Sequence, residues 1–495
     1  MAPQAGEPGE SGLRGRVGPA DPSNLIRVTP AEGASLGSVT ERLERVLERE
    51  APTWGIRPVP LERRRLSGLD LAVLWGDLSV GLLVLVTGAL LVPALGFPRA
   101  LLAIVVGSLL GCLPLAVVGL AGEREGVPSM VLFRPVLGLR GSFLPSALNL
   151  LQLVGWTAVE FWAMGQVANV ASSELFGLDA PTLWLAVVAV LCTTLAVGGP
   201  VLVVRRWLER FGIYVLLGAT AWITVRALAT GDLGAIWRGP GEGGMPFWLA
   251  VDLVIVMPVS WLPLVADYDR FARPGTHGFA GTYLGYLVGN VWFYSLGALL
   301  VLAAGATADV LGIGGAIAGV AGGALLLLAL LVGESDNAFA NLYSSAVSIQ
   351  NVVPDAPQRW LVLGLGAAAF GLALTLSMDR YELFLLLIGS VFVPLFGVFA
   401  ADWLVRSGGR YGQERLFAST GVRWLAFVPW LVGFVLYHWS VPTGPQGWVD
   451  AMETVFHGWF GLPFPLFGSA IGASLPSFGA AFGLALLLPR DRATR

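Results

Sequence analysis

Apolar residues follow one another along this chain in long runs, separated by short polar loops. Twelve such runs lie near residues 68–94, 98–120, 143–170, 182–204, 207–229, 247–266, 279–304, 322–349, 359–377, 382–405, 422–440 and 465–488. About twenty apolar residues are enough for a helix to cross a bilayer. The pattern therefore predicts an all-α polytopic membrane protein with twelve transmembrane helices.

The sixth run is unusual because it contains Pro258 and Pro263, with Ser260 and Trp261 between them. Proline removes a backbone donor and clashes with the preceding helical turn. An interrupted spanning helix is tolerated where it lines a cavity, as in many secondary transporters. The run therefore predicts a broken helix around a binding site, and a simple kink in a packing helix is the alternative.

The first run is also unusual, since Asp77, Ser79, Gly81 and Thr87 interrupt its apolar sequence. The two unusual runs are five segments apart, so they cross the membrane in opposite directions. An inverted repeat of five helices plus five has this property. We therefore expect broken helices 1 and 6 in a ten-helix core, followed by two extra helices.

This organisation divides the chain into four parts. We expect a disordered cytoplasmic tail over 1–60, a transport core over 61–405, two additional transmembrane helices over 406–488 and a cytoplasmic tail over 489–495. The first tail is polar and rich in Pro, Gly and Glu, a composition typical of disorder, apart from one short helix near 38–50. It lacks the apolar core of a signal peptide, so the first span is expected to direct insertion.

Composition and charge support this topology. Hydrophobic residues make up 55% of the chain and charged residues 13%, with a mean hydropathy of +0.73. From residue 57 onward, twenty arginines fall in loops assigned to the inside and four fall outside. The positive-inside rule then places both termini in the cytoplasm of a cell-membrane protein. The chain shows no basic patch that would indicate nucleic acid as a partner.

The third run carries Trp156 and Glu160, which lie one turn apart on one face of a helix. An ionisable side chain at the bilayer centre costs roughly 2.5 kcal/mol or more on insertion scales, so it usually faces a cavity or a partner. Glu160 is therefore a candidate binding residue. A purely structural pairing with another helix is the alternative.

The eighth run holds the densest polar cluster, which comprises Glu334, Ser335, Asp336, Asn337 and Asn341. Hard oxygen ligands on one helix, facing an unwound backbone, suit an alkali cation. The two asparagines are four residues apart and share a helix face. Hydrogen bonding between helices is the alternative explanation.

The charged residues between Asp267 and Arg273 close the sixth run, and we interpret them as a solvated, self-paired loop. A gate ion pair between Asp267 and an arginine of a neighbouring loop is the alternative. Asp77, Asp252 and Glu382 remain open between structural and functional roles. The three histidines show no metal-ligand spacing.

Several motifs resemble the nucleobase:cation symporter-1 family over roughly residues 57 to 440. They are GVPSMVLFR at 126–134, GLRGSFLP at 138–145, QLVGW at 152–156, ADYDRF at 266–271 and Ala-Asp at 401–402. Within the family, the chain is most similar to cytosine permeases and hydroxymethylpyrimidine transporters. The resemblance implies the LeuT-like five-plus-five fold, alternating access, and sodium- or proton-coupled uptake of nucleobases and related heterocycles.

The resemblance also implies roles for individual residues. Trp156 matches the aromatic platform of span three, and Glu160 matches the hydrogen-bonding position one turn later. The span-eight motif of many members fits residues 335–341 without a gap. It places Ser335 and Asp336 at cation-ligand positions and the asparagines at substrate positions. A second register, aligned on residues 336–338, stays open.

The chain departs from the family pattern at two places. In span six the family aromatic falls on Pro258, so either Trp261, next to Ser260, reaches the substrate or one side of the aromatic sandwich is missing. Asp336 replaces a neutral hydroxyl residue, which allows either sodium or a proton as coupling ion. The hydroxyl of Ser335 favours sodium, because proton carriage does not require it.

The span-one ligands of this cation are expected near Leu78–Leu82, where carbonyl oxygens of Leu78 and Gly81 would face Ser335 and Asp336. A carboxylate at Asp336 would tighten sodium binding, or would itself carry a proton in place of sodium. No other cofactor is expected.

The sequence therefore predicts a monomeric secondary transporter that imports a cytosine-, purine- or hydroxymethylpyrimidine-like heterocycle. Uptake of hydantoin, allantoin or uracil by the same fold is the alternative. An integral membrane enzyme is disfavoured, because the chain lacks His-Glu-x-x-His and paired acidic metal motifs. A channel is disfavoured by the irregular spacing of the intramembrane polar residues.

The topology can be tested with fusions at the end of the chain. We expect a reporter that is active only in the cytoplasm to signal when it is fused after Arg495. A reporter that signals only from outside the cell should be silent there. A signal from the outside reporter would contradict the even number of crossings.

Overall fold

The structure is a computed structural model that describes residues 54–198, 213–376, 378, 381–418, 421–467 and 470–489. Within these ranges the regular structure is helical, with one isolated bridge between Leu66 and Ala272 and no β-strand. The expected helix near 38–50, the tail up to residue 53 and residues 490–495 lie outside the described residues. The all-α prediction is confirmed for the part of the chain that can be seen.

The helices of the first half begin near the start of each apolar run. They are α1 (Gly68–Leu78), α2 (Leu82–Ala89), α3 (Phe97–Glu125), α4 (Ser129–Leu132), α5 (Arg134–Leu137), α6 (Phe143–Phe176), α7 (Pro181–Gly198), α8 (Ile213–Thr230) and α9 (Leu233–Arg238).

The second half continues with a second interrupted segment and several long helices. They are α10 (Phe247–Trp261), α11 (Val265–Asp269), α12 (His277–Ala304), α13 (Val310–Ala318), α14 (Gly323–Val352), α15 (Gln358–Ala373), α16 (Tyr381–Ala400), α17 (Gln413–Phe417), α18 (Trp424–Ser440), α19 (Gln446–Glu453) and α20 (Ser474–Leu487). Short π-helical turns extend α16 and α19.

Four of the described helical segments are each long and apolar enough to cross a membrane: α3, α12, α14, and α16 with its π-helical turn. The number rises to six if each of two bent helix pairs counts as one span. Five further apolar helices are shorter, between 10 and 17 residues. The predicted count of twelve crossings therefore stays a prediction.

The first apolar run is interrupted between α1 and α2, whose axes differ by 60°. The capping box of Ser67 and Asp70 starts α1. The chain then breaks over Ser79–Gly81, where polar and small residues interrupt the apolar sequence. The backbone N–H of Leu82, the first residue of α2, donates to the Glu334 carboxylate at 2.7 Å. A side chain of another helix thus satisfies a backbone group that the break leaves free.

The sixth run is interrupted later than the first of its prolines would suggest. Helix α10 continues through Pro258 and ends at Trp261, and the break covers residues 262–264, including Pro263. The ring of Pro258 fits against α3 at Gly111, where a Cβ atom would come within 2.6 Å of it. A glycine on the neighbouring helix therefore gives the first proline room inside a continuous helix.

The two interrupted segments lie among long helices. Helix α12 packs against α1, α2 and α3, while α10 packs against α3 and α16. Helix α6 packs against α14, and α20 packs against α16 and α18. The side chains that face the breaks therefore come from α6 and α14.

Asp252, whose role the sequence left open, holds the last described helix in place. Its carboxylate accepts backbone N–H groups of Ala473, at 2.6 Å, and Ser474, at 3.1 Å, at the start of α20. The Asp252 side chain is 2% exposed. A negative charge at a helix N-terminus is favourable because it meets the free N–H groups and the positive end of the helix dipole. Asp252 therefore has a structural role.

A row of glycines on α12 sets the distance to α1. Gly281, Gly285 and Gly289 are four residues apart, so they lie on one face of the helix. A Cβ atom at Gly285 would come within 2.8 Å of the Cα atom of Ala72. Small residues allow this approach of two backbones, which is a common way to pack helices in membranes.

We expect Gly285→Ala to destabilise the protein, because the added methyl group meets the backbone of α1. Overpacking of this kind costs about 1–3 kcal/mol. The measurement is the melting temperature of the purified protein in detergent. Gly483→Ala is the matched control, since a Cβ atom at Gly483 meets nothing within 4 Å. Equal melting temperatures for the two variants would refute the close-approach argument.

Candidate substrate cavity

A small internal cavity lies where the two helix breaks meet α6 and α14. Four segments of the chain supply its wall. The lining residues are Leu78, Gly81, Leu83, Val84, Trp156, Glu160, Met257, Ser260, Trp261, Glu334, Asn337 and Asn341. The wall thus combines two indole rings, two carboxylates and two amides with apolar side chains.

The structure brings most of the predicted site residues to this one cavity. The predicted substrate residues that line it are Trp156, Glu160, Ser260, Trp261, Asn337 and Asn341. Leu78 and Gly81, predicted to supply cation ligands, also lie on the wall. Ser335 and Asp336 are absent from the lining, although they follow Glu334 directly in the sequence.

Trp156 is held in place by other aromatic rings. Its ring makes edge contacts with Phe384, at a centroid distance of 5.2 Å, and with Tyr381, at 6.1 Å. The side chain is only 6% exposed. Its indole Nε1 is buried and has no hydrogen-bond partner among the described residues. The indole therefore has a free donor as well as an aromatic surface.

Trp261 reaches the cavity because α10 ends there. Its ring contacts Trp75 of α1 in an edge arrangement, with centroids 6.1 Å apart. Trp75 is in turn fixed by a hydrogen bond from its indole N–H to Asp269 at 2.8 Å. Trp261 therefore lies on the wall of the cavity.

Glu160 and Asn341 form a direct pair between α6 and α14. The amide nitrogen of Asn341 donates to both carboxylate oxygens, at 2.9 and 3.1 Å, and both side chains are buried. The pair links two helices, as the structural alternative expects, and it also lies on the cavity wall. A carboxylate has about four acceptor sites, so this pairing leaves Glu160 able to accept further donors.

Glu334 is a cavity residue that the sequence analysis names only as a member of the polar cluster of the eighth run. Its carboxylate caps α2 through Leu82, as described above, and its side chain is 2% exposed. The break at Ser79–Gly81 indicates that a helix N-terminus needs an acceptor. Nothing local in the sequence shows which of the other spans supplies it.

Asn337 and Ser260 complete the polar wall. The Oδ1 atom of Asn337 is buried without a hydrogen-bond partner in the described part of the chain. The hydroxyl of Ser260 donates to the carbonyl of Met257 at 2.6 Å, so its proton is already used within α10. The carbonyl of Ser260 accepts the amide of Gln152 at 3.0 Å.

The candidate cation residues lie beside this cavity. The hydroxyl of Ser335 donates to the carbonyl of Val332 at 2.6 Å, which leaves its oxygen lone pairs for other partners. Oδ1 of Asp336 and Oδ2 of Asp77 are both buried, and neither has a hydrogen-bond partner in the residues described. The two carboxylates are close enough to interact electrostatically. Asp77, left open by the sequence, therefore joins Asp336 at the span-one break.

Three of the charged residues that close the sixth run are buried, so the interpretation as a solvated loop is wrong for them, while Arg273 is exposed. Asp267, Asp269 and Arg270 are at most 1% exposed. Asp267 accepts the backbone N–H of Ser129 at 3.0 Å instead of pairing with an arginine of a neighbouring loop. Arg270 donates to the carbonyl of Gly55 at 2.6 Å. Partners from distant segments replace water here, and the sequence around Asp267 does not reveal them.

Among the residues that the structure describes, no group of three or more His, Cys, Asp or Glu side chains could hold a metal ion. A cavity at two helix breaks, in a strongly apolar chain whose described part is helical, is typical of a membrane transport protein. The sequence profile of the family described as "Permease for cytosine/purines, uracil, thiamine, allantoin" matches residues 58–460. The chain belongs to this family of transporters and is not an enzyme.

Individual relatives agree with this assignment. The cytosine permease of Escherichia coli (strain K12) is 27% identical over 362 residues, which cover 71% of this chain and 81% of that protein. The hydantoin permease of Microbacterium maritypicum is 22% identical over 409 residues, which cover 77% of this chain and 82% of that protein. The predicted family resemblance is confirmed.

Solved structures show the fold. Mhp1, a nucleobase-cation-symport-1 family transporter in a closed conformation with bromovinylhydantoin bound, has a TM-score of 0.71. It is 19% identical, and the match covers 89% of this chain and 97% of Mhp1. A Na⁺-coupled sialic acid symporter matches with a TM-score of 0.61 at 12% identity, covering 91% of this chain and 96% of that one.

Proposed function

We propose that this protein imports an aminopyrimidine or purine base by cation symport and alternating access. The observation that carries the proposal is the cavity at the two helix breaks. Its wall contains the indole rings of Trp156 and Trp261 and the hydrogen-bonded pair of Glu160 and Asn341. The names of the relatives, which include cytosine and hydantoin permeases, support a flat nitrogen heterocycle as substrate.

The chemistry of the wall favours one edge of the substrate. A flat base gains contact area against an indole, and aromatic contacts contribute about 0.5–1.5 kcal/mol beyond the buried area. A carboxylate accepts hydrogen bonds and cannot donate them. Glu160 therefore suits a base with two adjacent donors, such as an exocyclic amine beside a protonated ring nitrogen. Uracil presents this edge poorly, and uptake of uracil, hydantoin or allantoin is the alternative.

We propose sodium as the coupling ion, held between the span-one break and α14. The ligands would be carbonyl oxygens of Leu78 and Gly81 with the side-chain oxygens of Ser335 and Asp336. The Ser335 hydroxyl donates its proton to a backbone carbonyl, so its oxygen lone pairs are available to a cation. Oδ1 of Asp336 has no hydrogen-bond partner in the described residues, which also supports this assignment. Asp77 adds a second buried oxygen without a partner. Proton coupling through the carboxylates is the alternative.

We also propose a monomer in the cell membrane with twelve crossings and both termini in the cytoplasm. The long helices supply the clearest crossings, and the shorter apolar helices would supply the rest. The asymmetric distribution of arginines supports the orientation. The reporter fusion at the end of the chain tests it.

We expect Glu160→Gln to weaken cytosine uptake more than Trp156→Phe does. The glutamine removes the negative charge and so weakens a charge-assisted hydrogen bond from the exocyclic amine, worth about 1.5–3 kcal/mol, whereas phenylalanine keeps a ring. About a tenfold loss for the first variant and a few-fold loss for the second are expected. The measurement is uptake of radiolabelled cytosine into vesicles.

Glu453→Gln, on the exposed face of α19, is the control and should behave as the wild type. A competition panel of cytosine, adenine, uracil, hydantoin, allantoin and hydroxymethylpyrimidine ranks the substrates. Equal competition by uracil and cytosine would contradict the role of Glu160 as an acceptor for an exocyclic amine.

Uptake should depend on sodium, and Ser335→Ala and Asp336→Asn should each raise the sodium concentration that gives half-maximal uptake. About a tenfold increase corresponds to the loss of one good ligand, ~1.4 kcal/mol. The assay replaces sodium by choline at fixed pH and is repeated with a proton ionophore. Ser295→Ala is the matched control, because Ser295 also bonds only to its own helix. Sodium-independent uptake that collapses with the ionophore would show proton coupling instead.

A further inference from the structure

Two carboxylates on different helices, α6 and α14, line the same cavity. Glu160 and Glu334 both line it, and they are close enough to interact electrostatically. None of the described residues that line the cavity is basic, and the whole chain contains no lysine. Buried charges without an opposite charge are costly, so the arrangement is incomplete without a cation.

The existing partners of both carboxylates are neutral. Glu160 accepts the side-chain amide of Asn341, and Glu334 accepts the backbone N–H of Leu82. Hydrogen bonds from neutral donors orient a carboxylate and satisfy some of its lone pairs, but they leave its negative charge in place. A proton on one carboxyl or a cation that enters the cavity would supply the missing charge.

The rest of the wall shows what kind of cation fits. Trp156 and Trp261 lie on the same cavity as the carboxylates. An aromatic ring attracts a cation placed over its face, and aromatic walls are a common means of recognising organic cations. Sodium prefers oxygen ligands, and an indole ring supplies none. The wall matches a flat organic cation better than a metal ion.

We propose that the substrate is a positively charged heterocycle, an aminopyrimidine that carries a proton or an alkyl group on a ring nitrogen, and that Glu334 selects for this charge. The inference rests on the proposed import function and narrows its substrate class. Glu160 receives the donor edge of the ring, while Glu334 supplies the second negative charge. The coupling ion has its own carboxylate in Asp336, which does not line this cavity.

The test compares two probes that differ in charge. The cation is 4-amino-1-methylpyrimidinium, and the neutral probe is 4-amino-5-methylpyrimidine, which has the same number of heavy atoms. Both compete with radiolabelled cytosine for uptake by the full-length protein in vesicles, at saturating sodium and at a pH where the second probe is unprotonated. The wild type should prefer the cation by about tenfold, as expected for a charge-assisted contact in a desolvated site.

The decisive variant is Glu334→Gln. Its amide oxygen still accepts the N–H of Leu82, so the break keeps its cap while the charge is lost. The ratio between the two probes, measured against whatever rate of cytosine uptake the variant has, should fall to about threefold or less. Glu453→Gln, outside the cavity, should keep the wild-type ratio.

Three other results would overturn the inference. If the wild type takes the neutral probe as well as the cation, the substrate is a neutral base, and the proposed import function stands. If Glu334→Gln shifts the sodium dependence and leaves the probe ratio unchanged, Glu334 serves the ion. If the wild type transports no base and binds neither probe, the proposed function itself fails, and the inference fails with it.

Discussion

The hydrogen bond from the Leu82 N–H to Glu334 is the contact on which the centre of this molecule depends. A helix that breaks inside an apolar medium exposes backbone groups that water does not satisfy there. Here the free donor at the start of α2 meets a carboxylate of α14, over a distance of 252 residues in the sequence. The bond places an acidic side chain, an interrupted helix and the wall of a cavity at one point.

The same solution recurs at other helix starts. Asp252 caps α20, Asp267 accepts from the first residue of α4, and Glu123 accepts from the backbone of Gly275 and Gly278 at the start of α12. Each carboxylate lies on a different helix from the N-terminus that it caps. Several buried acids in the described part of the chain thus serve as long-range helix caps, because the free N–H groups and the helix dipole both favour a negative charge there.

Because these caps come from distant segments, the sequence could predict only the parts of the site that depend on local periodicity. Trp156 with Glu160, and Asn337 with Asn341, share helix faces by simple periodicity, and all four line the cavity. The break in the first span was readable from its polar and glycine residues. The cap at Glu334 was not, because a pairing between distant spans leaves no local signal.

The same reasoning applies to the residues whose role was misjudged. Asp267 looks like part of a charged loop when only its neighbours in the sequence are considered. Its partner Ser129 is 138 residues away. The exact break in the sixth run depends in a similar way on Gly111 of α3, which gives Pro258 space within the helix. In both cases the deciding atom belongs to another helix.

The double position of Glu334 connects ligand binding to helix geometry. Its carboxylate caps α2 and lines the cavity at the same time. A cation in the cavity draws on the same charge that holds the start of α2, so the two interactions cannot be independent. Helix α2 also packs closely on α12, where Gly297 meets the backbone of Leu85. The charge selection proposed for Glu334 would therefore use the same side chain that caps a tightly packed helix.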